Sequence, residues 1–152
     1  SYTVAVGKVD GAIRPDNKLV CVGLDSGIHL GVLSSRVHVC WALANGGRLG
    51  VGNDPVYVKS RCFDTFPFPD CTPEVRDRIS DIAEKLDGHR KARQALHPDT
   101  LTLTGMYNVV EKLRGGEALS KKEQALNEQG LCEIVRQLHD ELDAAVFEAF
   151  GQ

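Results

Sequence analysis

The sequence predicts an α+β fold, in which short N-terminal strands and one amphipathic helix precede a bundle of about four helices. The early part of the chain is rich in Gly and Val, whereas the later part carries long segments with apolar residues at three- and four-residue spacing. Residues 66–69 (Phe-Pro-Phe-Pro, the Phe-Pro segment) separate the two, because each proline fixes its own φ and favours extended backbone before it. We therefore expect two domains, residues 1–69 and residues 70–152, with the phenylalanine rings filling the seam between them.

Two strands and one helix are predicted before the Phe-Pro segment. Residues 2–6 and 19–24 are β-prone runs separated by turn residues, and the chain starts inside strand-like sequence without an initiator Met. We therefore expect a piece of a longer protein. Apolar positions from Leu30 to Ala44 follow helical spacing and stop at two glycines, which predicts a single helix. Residues 48–63 are expected to form a loop that leads into a short extended piece at residues 56–58.

Four helices are predicted after the Phe-Pro segment. Thr72 is a good N-cap with proline at the first helical position, and this helix is expected to end near residue 97. A second helix runs from Thr104 to Gly115-Gly116, and a third opens with the capping box at residues 120–123 and pauses at Gly130. The last helix carries an apolar face from residue 131 to residue 150. Because none of these helices could bury its apolar face alone, they predict a bundle.

Composition excludes several classes of protein. The chain of 152 residues has neither a run of 18 apolar residues nor a basic-then-apolar start, so we expect no membrane span, no signal peptide and a cytoplasmic location. Its five cysteines are odd in number and form no C-x-x-C pair, which argues against a disulfide framework and a zinc site. They are most simply reduced thiols.

The net charge of −3 conceals an asymmetry between the two parts. Residues 1–66 hold seven Lys or Arg against five acids, a balance of +2, whereas the remainder holds eleven against sixteen, a balance of −5. If one part binds a polyanion, electrostatics therefore favour the first part.

The sequence offers no catalytic residue and no metal ligand. His139 and Asp143 are four residues apart on a predicted helix and could together grip a metal, but a third ligand is missing nearby. An exposed helix face with pairing inside the helix is the favoured interpretation, and a small metal-dependent hydrolase is the alternative.

Polar residues of the first part are candidates for phosphate contacts, since hydroxyl, Arg and Lys groups suit them and glycines let a backbone come close to a groove. A solvated loop edge is the alternative interpretation. The candidate DNA-binding residues are Ser34, Ser35, Arg36, Arg48, Gly50, Gly52, Asn53, Tyr57, Lys59, Ser60 and Arg61.

Several stretches resemble one family of proteins. Residues 30–38 (Leu-Gly-Val-Leu-Ser-Ser-Arg-Val-His), residues 59–63 (Lys-Ser-Arg-Cys-Phe) and the Phe-Pro segment resemble the end of the target-recognition domain in MmeI-like single-chain type II restriction-modification enzymes. The likeness continues into the family's C-terminal helical domain and thus covers nearly the whole chain. Within that helical domain, the stretches that resemble the family are Leu86-Asp87-Gly88-His89-Arg90-Lys91, Leu103-Thr104-Gly105-Met106-Tyr107-Asn108 and residues 138–146.

The resemblance implies a non-catalytic portion of a DNA adenine-N6 methyltransferase that also carries an endonuclease. This portion would recognise a short sequence in double-stranded DNA and present the duplex to an upstream methyltransferase domain of the same chain, which flips out an adenine. S-adenosylmethionine and Mg²⁺ are expected only in the missing upstream domains. By similarity, base-edge contacts are expected near Gly50, Gly52 and Asn53.

The acidic helical part is expected to act as a brace, with any DNA contact confined to its few basic spots such as Arg90, Lys91 and Arg93. A solvated helix face is the alternative interpretation of these three residues. A protein-interaction or assembly domain without DNA contact is the main alternative. Salt dependence of binding distinguishes the two, because phosphate contacts release counterions.

Overall fold

The computed structural model describes residues 6, 20–24 and 26–151. Within these residues the chain forms seven helices and a two-stranded antiparallel sheet, which confirms the α+β class. The elements in chain order are α1 (Gly27–Ser34), α2 (Arg36–Asn45), β1 (Gly47–Leu49), β2 (Asp54–Val56), α3 (Lys59–Cys62), α4 (Pro73–Leu96), α5 (Leu103–Gly115), α6 (Lys121–Gly130) and α7 (Cys132–Phe150).

The first predicted strand lies almost wholly outside the described residues, and the second is not a strand where the structure describes it. Residues 2–5 and Leu19 lie outside the described residues, and residues 20–24 form neither helix nor strand. The sheet instead pairs β1 with β2, in the region that was expected to be a loop. The extended piece predicted at residues 56–58 was therefore placed about two residues too late.

The prediction of one continuous helix from Leu30 to Ala44 is wrong, because the helix breaks at Ser35. This residue has extended backbone angles, φ −77° and ψ 159°. Its hydroxyl donates to the Val32 carbonyl at 2.7 Å and accepts from the backbone N–H of His38 at 3.4 Å. A serine that bonds to the neighbouring backbone in this way replaces helical hydrogen bonds, so α2 starts anew with Ser35 as its N-cap.

The C-terminal helices confirm the predicted boundaries, because local signals specify them. Pro73 occupies the first turn of α4, and Gly116 ends α5 with a left-handed φ of 66°. Ser120 and Glu123 form the predicted capping box, with a bond of 2.8 Å from the Ser120 N–H to the Glu123 carboxylate. Leu131, with φ 45°, links α6 to α7.

One hydrophobic core joins the early helices to the C-terminal bundle. Ile28 and Val32 of α1 belong to the same cluster of buried residues as Ile79 of α4 and Leu142 of α7. Helix α1 lies very close to α4, since a Cβ added to Gly31 would stand 2.5 Å from the Ile79 Cγ2 atom. The domain boundary at residue 69 stays a prediction. Helices α1 and α2 nevertheless pack against the same hydrophobic core as the later helices.

The Phe-Pro segment supplies the ring that closes this core beside α2 and α7. Phe66 is 6% exposed and makes edge-on contacts with His38, Trp41 and Phe150 at centroid distances of 4.5, 5.6 and 6.1 Å. Phe68 packs edge-on against Phe66 at 5.2 Å. Phe66 thus packs between α2 and α7, as expected for a ring that joins the early part of the chain to the helical part, while a seam between two domains stays a prediction. None of the helices in the described residues combines the length and the apolar character that crossing a membrane requires.

Candidate nucleic-acid interface

A β-hairpin, formed by β1, β2 and the turn between them, contains the central candidate residues. Gly47, Arg48 and Leu49 pair with Val56, Pro55 and Asp54 respectively, and residues 50–53 form the exposed turn. The turn contains two residues with positive φ, Gly50 at 77° and Asn53 at 54°. Gly50 has open space around it, and its carbonyl accepts from the Asn53 N–H at 3.1 Å. Glycine and asparagine adopt this left-handed conformation at low cost, so the sequence favours a tight turn here.

The base of the hairpin is fixed to α2. The Tyr57 hydroxyl lies 2.8 Å from the His38 Nε2 atom, and the Cys62 thiol lies 3.7 Å from the Ala42 carbonyl oxygen. Gly46 is the point of closest approach, because a Cβ there would stand 2.6 Å from the carbonyl oxygens of both Ala42 and Val56. Anchors at both ends of the hairpin thus hold its base while its turn extends into solvent.

The histidine anchor is neutral at ordinary pH. His38 is fully buried, and this burial lowers its pKa from 6.5 to about 4. The neutral ring can exchange one hydrogen bond with the Tyr57 hydroxyl, while the Phe66 ring lies nearly perpendicular to it. The anchor therefore positions the hairpin without adding charge to the surface.

Exposed basic and hydroxyl side chains lie on the hairpin and on α3, which follows it in the chain. Arg48 is exposed and its guanidinium approaches the Leu43 carbonyl at 3.4 Å, at the C-terminal end of α2. On α3, Ser60 and Arg61 are exposed, and Lys59 pairs with Asp64 at 2.6 Å, an exposed ion pair that phosphate could displace at little cost. Residues 48–61 consequently carry two exposed Arg side chains and one ion-paired Lys within one short stretch of chain that includes the hairpin.

Two of the candidate residues do not reach this surface. Ser34 is 6% exposed and Ser35 is fully buried, and Ser35 caps α2. Arg36 has an exposed side chain, but its backbone N–H donates to the Asp143 carboxylate at 2.8 Å and ties α2 to α7. As a correction to the sequence prediction, both serines leave the set of proposed DNA contacts because solvent does not reach their hydroxyls.

The basic spots expected on the helical part are engaged within the protein. Arg90 is 3% exposed, and Lys91 binds the Asp87 carboxylate at 2.6 Å. The Arg93 Nε donates to the Gln129 carbonyl at 2.6 Å. Arg90 in particular is a structural residue rather than a surface contact, contrary to the expectation from the sequence.

A buried polar network, which sequence inspection missed, explains Arg90. Its guanidinium donates to the Tyr107 hydroxyl at 2.8 Å and to the Val6 carbonyl at 2.6 Å, and the Tyr107 hydroxyl lies 2.6 Å from the His139 Nε2 atom. Burial, together with the nearby positive charge of Arg90, lowers the pKa of His139 to about 3. Neither residue spacing nor a motif signals these contacts, because they join four separate segments of the chain.

The pair His139 and Asp143 does not form a site of the predicted hydrolase type. Both side chains are 7% exposed; His139 bonds to Tyr107, and Asp143 accepts from the Arg36 backbone. Burial raises the pKa of the Asp143 carboxyl. Among the residues that the structure describes, no group of three or more His, Cys, Asp or Glu side chains is arranged to hold a metal.

The charge asymmetry distinguishes the residues up to position 69 from those that follow. Residues 26–69 carry four Lys or Arg and two acids, whereas residues 70–152 carry eleven Lys or Arg and sixteen acids. A groove between α4 and α7 is mostly acidic, with Glu74, Asp77, Asp81, Glu141 and Glu148 along its walls. Phosphates would be repelled from that groove and would meet less repulsion at the hairpin.

A similarity in sequence to one curated protein bears on the function of the chain. The chain is similar to DNA methyltransferase A of Bacillus subtilis (strain 168). The two are 29% identical over 133 aligned residues, which cover 83% of this chain but 15% of the relative. No protein-family model and no solved structure matches the chain. The similarity supports a relationship to a DNA methyltransferase, and the matched part corresponds to a small share of that protein's length.

Proposed function

We propose that the chain is a DNA-recognition and bracing portion of a larger adenine-N6 DNA methyltransferase of the MmeI-like type II restriction-modification kind. The hairpin would contact the bases of double-stranded DNA, and the neighbouring basic and hydroxyl groups would contact phosphates. The proposed contacts are Arg36, Arg48, Gly50, Gly52, Asn53, Tyr57, Lys59, Ser60 and Arg61.

The observation that supports this proposal most directly is the exposed hairpin on a fixed base. Direct readout of a groove requires an element that projects from the protein yet keeps its orientation. The hairpin combines an exposed turn with anchors at Tyr57 and Cys62, and its surroundings carry the positive part of the chain's charge. Similarity to a protein named DNA methyltransferase A points to DNA as the polyanion.

The helices α4 to α7 would serve as the brace. Their shared core with α1 and α2 gives the hairpin a rigid support, and their acidic surface would face away from phosphates. Catalysis belongs, in this proposal, to an upstream methyltransferase domain that binds S-adenosylmethionine and to a nuclease domain that uses Mg²⁺, in a cytoplasmic protein. The described residues hold no metal-binding cluster of their own.

Salt-dependent binding to duplex DNA tests the proposal. With the natural full-length protein and a fluorescent duplex, the logarithm of the affinity should fall linearly with the logarithm of salt concentration. Arg61→Ala should weaken binding to all sequences and reduce that slope by about 1. The matched control is Arg76→Ala, an exposed arginine on α4, which should leave affinity and slope unchanged. Affinity that is indifferent to salt, or equal losses in both variants, would refute DNA contact at the hairpin and favour a protein-interaction domain.

A further inference from the structure

The end of the hairpin exposes two apolar side chains, Leu49 at the end of β1 and Val51 in the turn, where polar residues would be expected. Leu49 is 70% exposed, and Val51 is 109% exposed, the largest value among the exposed large hydrophobic residues in the described part of the chain. Glycines stand on both sides of Val51, at positions 50 and 52, and add no bulk. The end of the hairpin therefore presents exposed hydrocarbon to solvent.

Charged side chains of both signs accompany this apolar tip. Arg48 precedes it on β1 and Asp54 pairs with Leu49 across the hairpin, while Lys59 and Arg61 follow on α3, where Lys59 pairs with Asp64 at 2.6 Å. An apolar projection in a stretch where cations outnumber acids, three to two over residues 48–64, suits a partner whose outside is anionic and whose interior is apolar and flat. Stacked bases inside a phosphate backbone have this combination, and proteins that bend DNA insert Leu, Ile, Phe or Met between base steps.

We propose that Leu49 and Val51 form a wedge that enters a base step of duplex DNA and partly unstacks it, a role that rests on the DNA-binding function proposed above. The narrow glycine-flanked turn lets the two side chains reach past the backbone, while the anchors at Tyr57 and Gly46 resist their displacement. Unstacking by the wedge lowers the free energy needed to extrude a neighbouring base, and enzymes that modify bases require such extrusion.

The test compares two duplexes that differ in one unpaired base. A wedge pays the cost of unstacking on an intact duplex but little of it where a bulged base already interrupts the stack. The natural full-length protein should therefore bind a fluorescent duplex with a central one-base bulge about tenfold more tightly than the intact duplex. The double variant Leu49→Ala, Val51→Ala should lose this preference and keep its salt slope.

Two controls accompany the double variant. Leu49→Met with Val51→Ile retains apolar volume and should retain the preference for the bulged duplex. Leu96→Ala removes an apolar side chain that is 64% exposed at the end of α4, and it should change neither affinity nor preference. Because Leu49 and Val51 are exposed, the double variant should unfold at the same urea concentration as the natural protein, and this measurement shows that it folds.

The outcomes separate the wedge from the function on which it rests. Binding that is insensitive to salt for both duplexes would overturn the DNA-binding proposal and the wedge together. Salt-dependent binding without a preference for the bulge, or a preference that survives the double variant, would overturn the wedge alone. A double variant that changes the sedimentation coefficient of the protein instead of its DNA preference would also overturn the wedge, and would assign the apolar tip to a protein contact.

Discussion

Removal of the Phe66 ring should be one of the most damaging single substitutions in the chain. Phe66 is 6% exposed, and its ring contacts three other aromatic groups from α2 and α7 edge-on, at 4.5 to 6.1 Å. Phe-to-Ala substitutions in packed cores cost about 3–5 kcal/mol, and aromatic pairs add about 0.5–1.5 kcal/mol beyond burial. We expect Phe66→Ala to lower the free energy of unfolding by about 4 kcal/mol.

Urea unfolding followed by circular dichroism measures this loss. For a chain of this size, about 4 kcal/mol corresponds to a fall in the melting temperature of roughly 8–16 °C. Phe147→Ala is the matched control, since Phe147 lies on α7 but is 63% exposed, and its loss should stay within about 0.5 kcal/mol. If both variants lose similar stability, or if Phe66→Ala loses less than about 1 kcal/mol, the ring does not fill the seam as described.

Two further predictions concern the buried histidines. The neutral form of His139 stabilises the fold fully above about pH 6.5, and this contribution is lost as the pH falls toward the folded pKa of about 3. Through this group alone, the free energy of unfolding should therefore be about 2 kcal/mol lower at pH 4.5 than at pH 6.5. His139→Gln, which keeps a polar partner for Tyr107, should show a correspondingly smaller fall between these two pH values, and an equal fall in both proteins would contradict the assignment. Tyr57→Phe should lower the free energy of unfolding by about 1–2 kcal/mol, because the buried His38 ring loses the hydroxyl 2.8 Å away. Hydrogen exchange should then rise at the base of the hairpin, and unchanged exchange there would show that this bond does not hold it.

The C-terminal helices were predictable because their ends are encoded locally. Pro73, Gly116 and the Ser120 capping box each act on a neighbouring turn, so their effect can be deduced from adjacent residues. The break at Ser35 was not predictable in the same way, since the apolar spacing continues through it from α1 into α2. A serine can cap a helix or sit inside one, and packing decides which.

The hairpin and the buried network escaped prediction for different physical reasons. Each strand of the hairpin is three residues long, too short for alternation to show, and its register depends on the positive φ values of Gly50 and Asn53. The network joins Arg90 to Tyr107 and His139 across 17 and 49 residues of sequence, so only tertiary structure brings them together. Arg48, Gly50, Gly52 and Asn53 are exposed on the hairpin, and their contact with DNA stays a prediction, whereas Ser34 and Ser35 are buried beside the helix break that the apolar spacing conceals.

The separation between anchors and turn in the hairpin has a consequence for how this surface can change over evolutionary time. The contacts that hold it involve Gly46, Tyr57 and Cys62, all outside the four turn residues 50–53. Lengthening a flexible loop costs only about 0.6 kcal/mol for each doubling of its length. Insertions and substitutions at the turn can therefore accumulate with little penalty to folding, so new surface chemistry can be sampled on an unchanged scaffold.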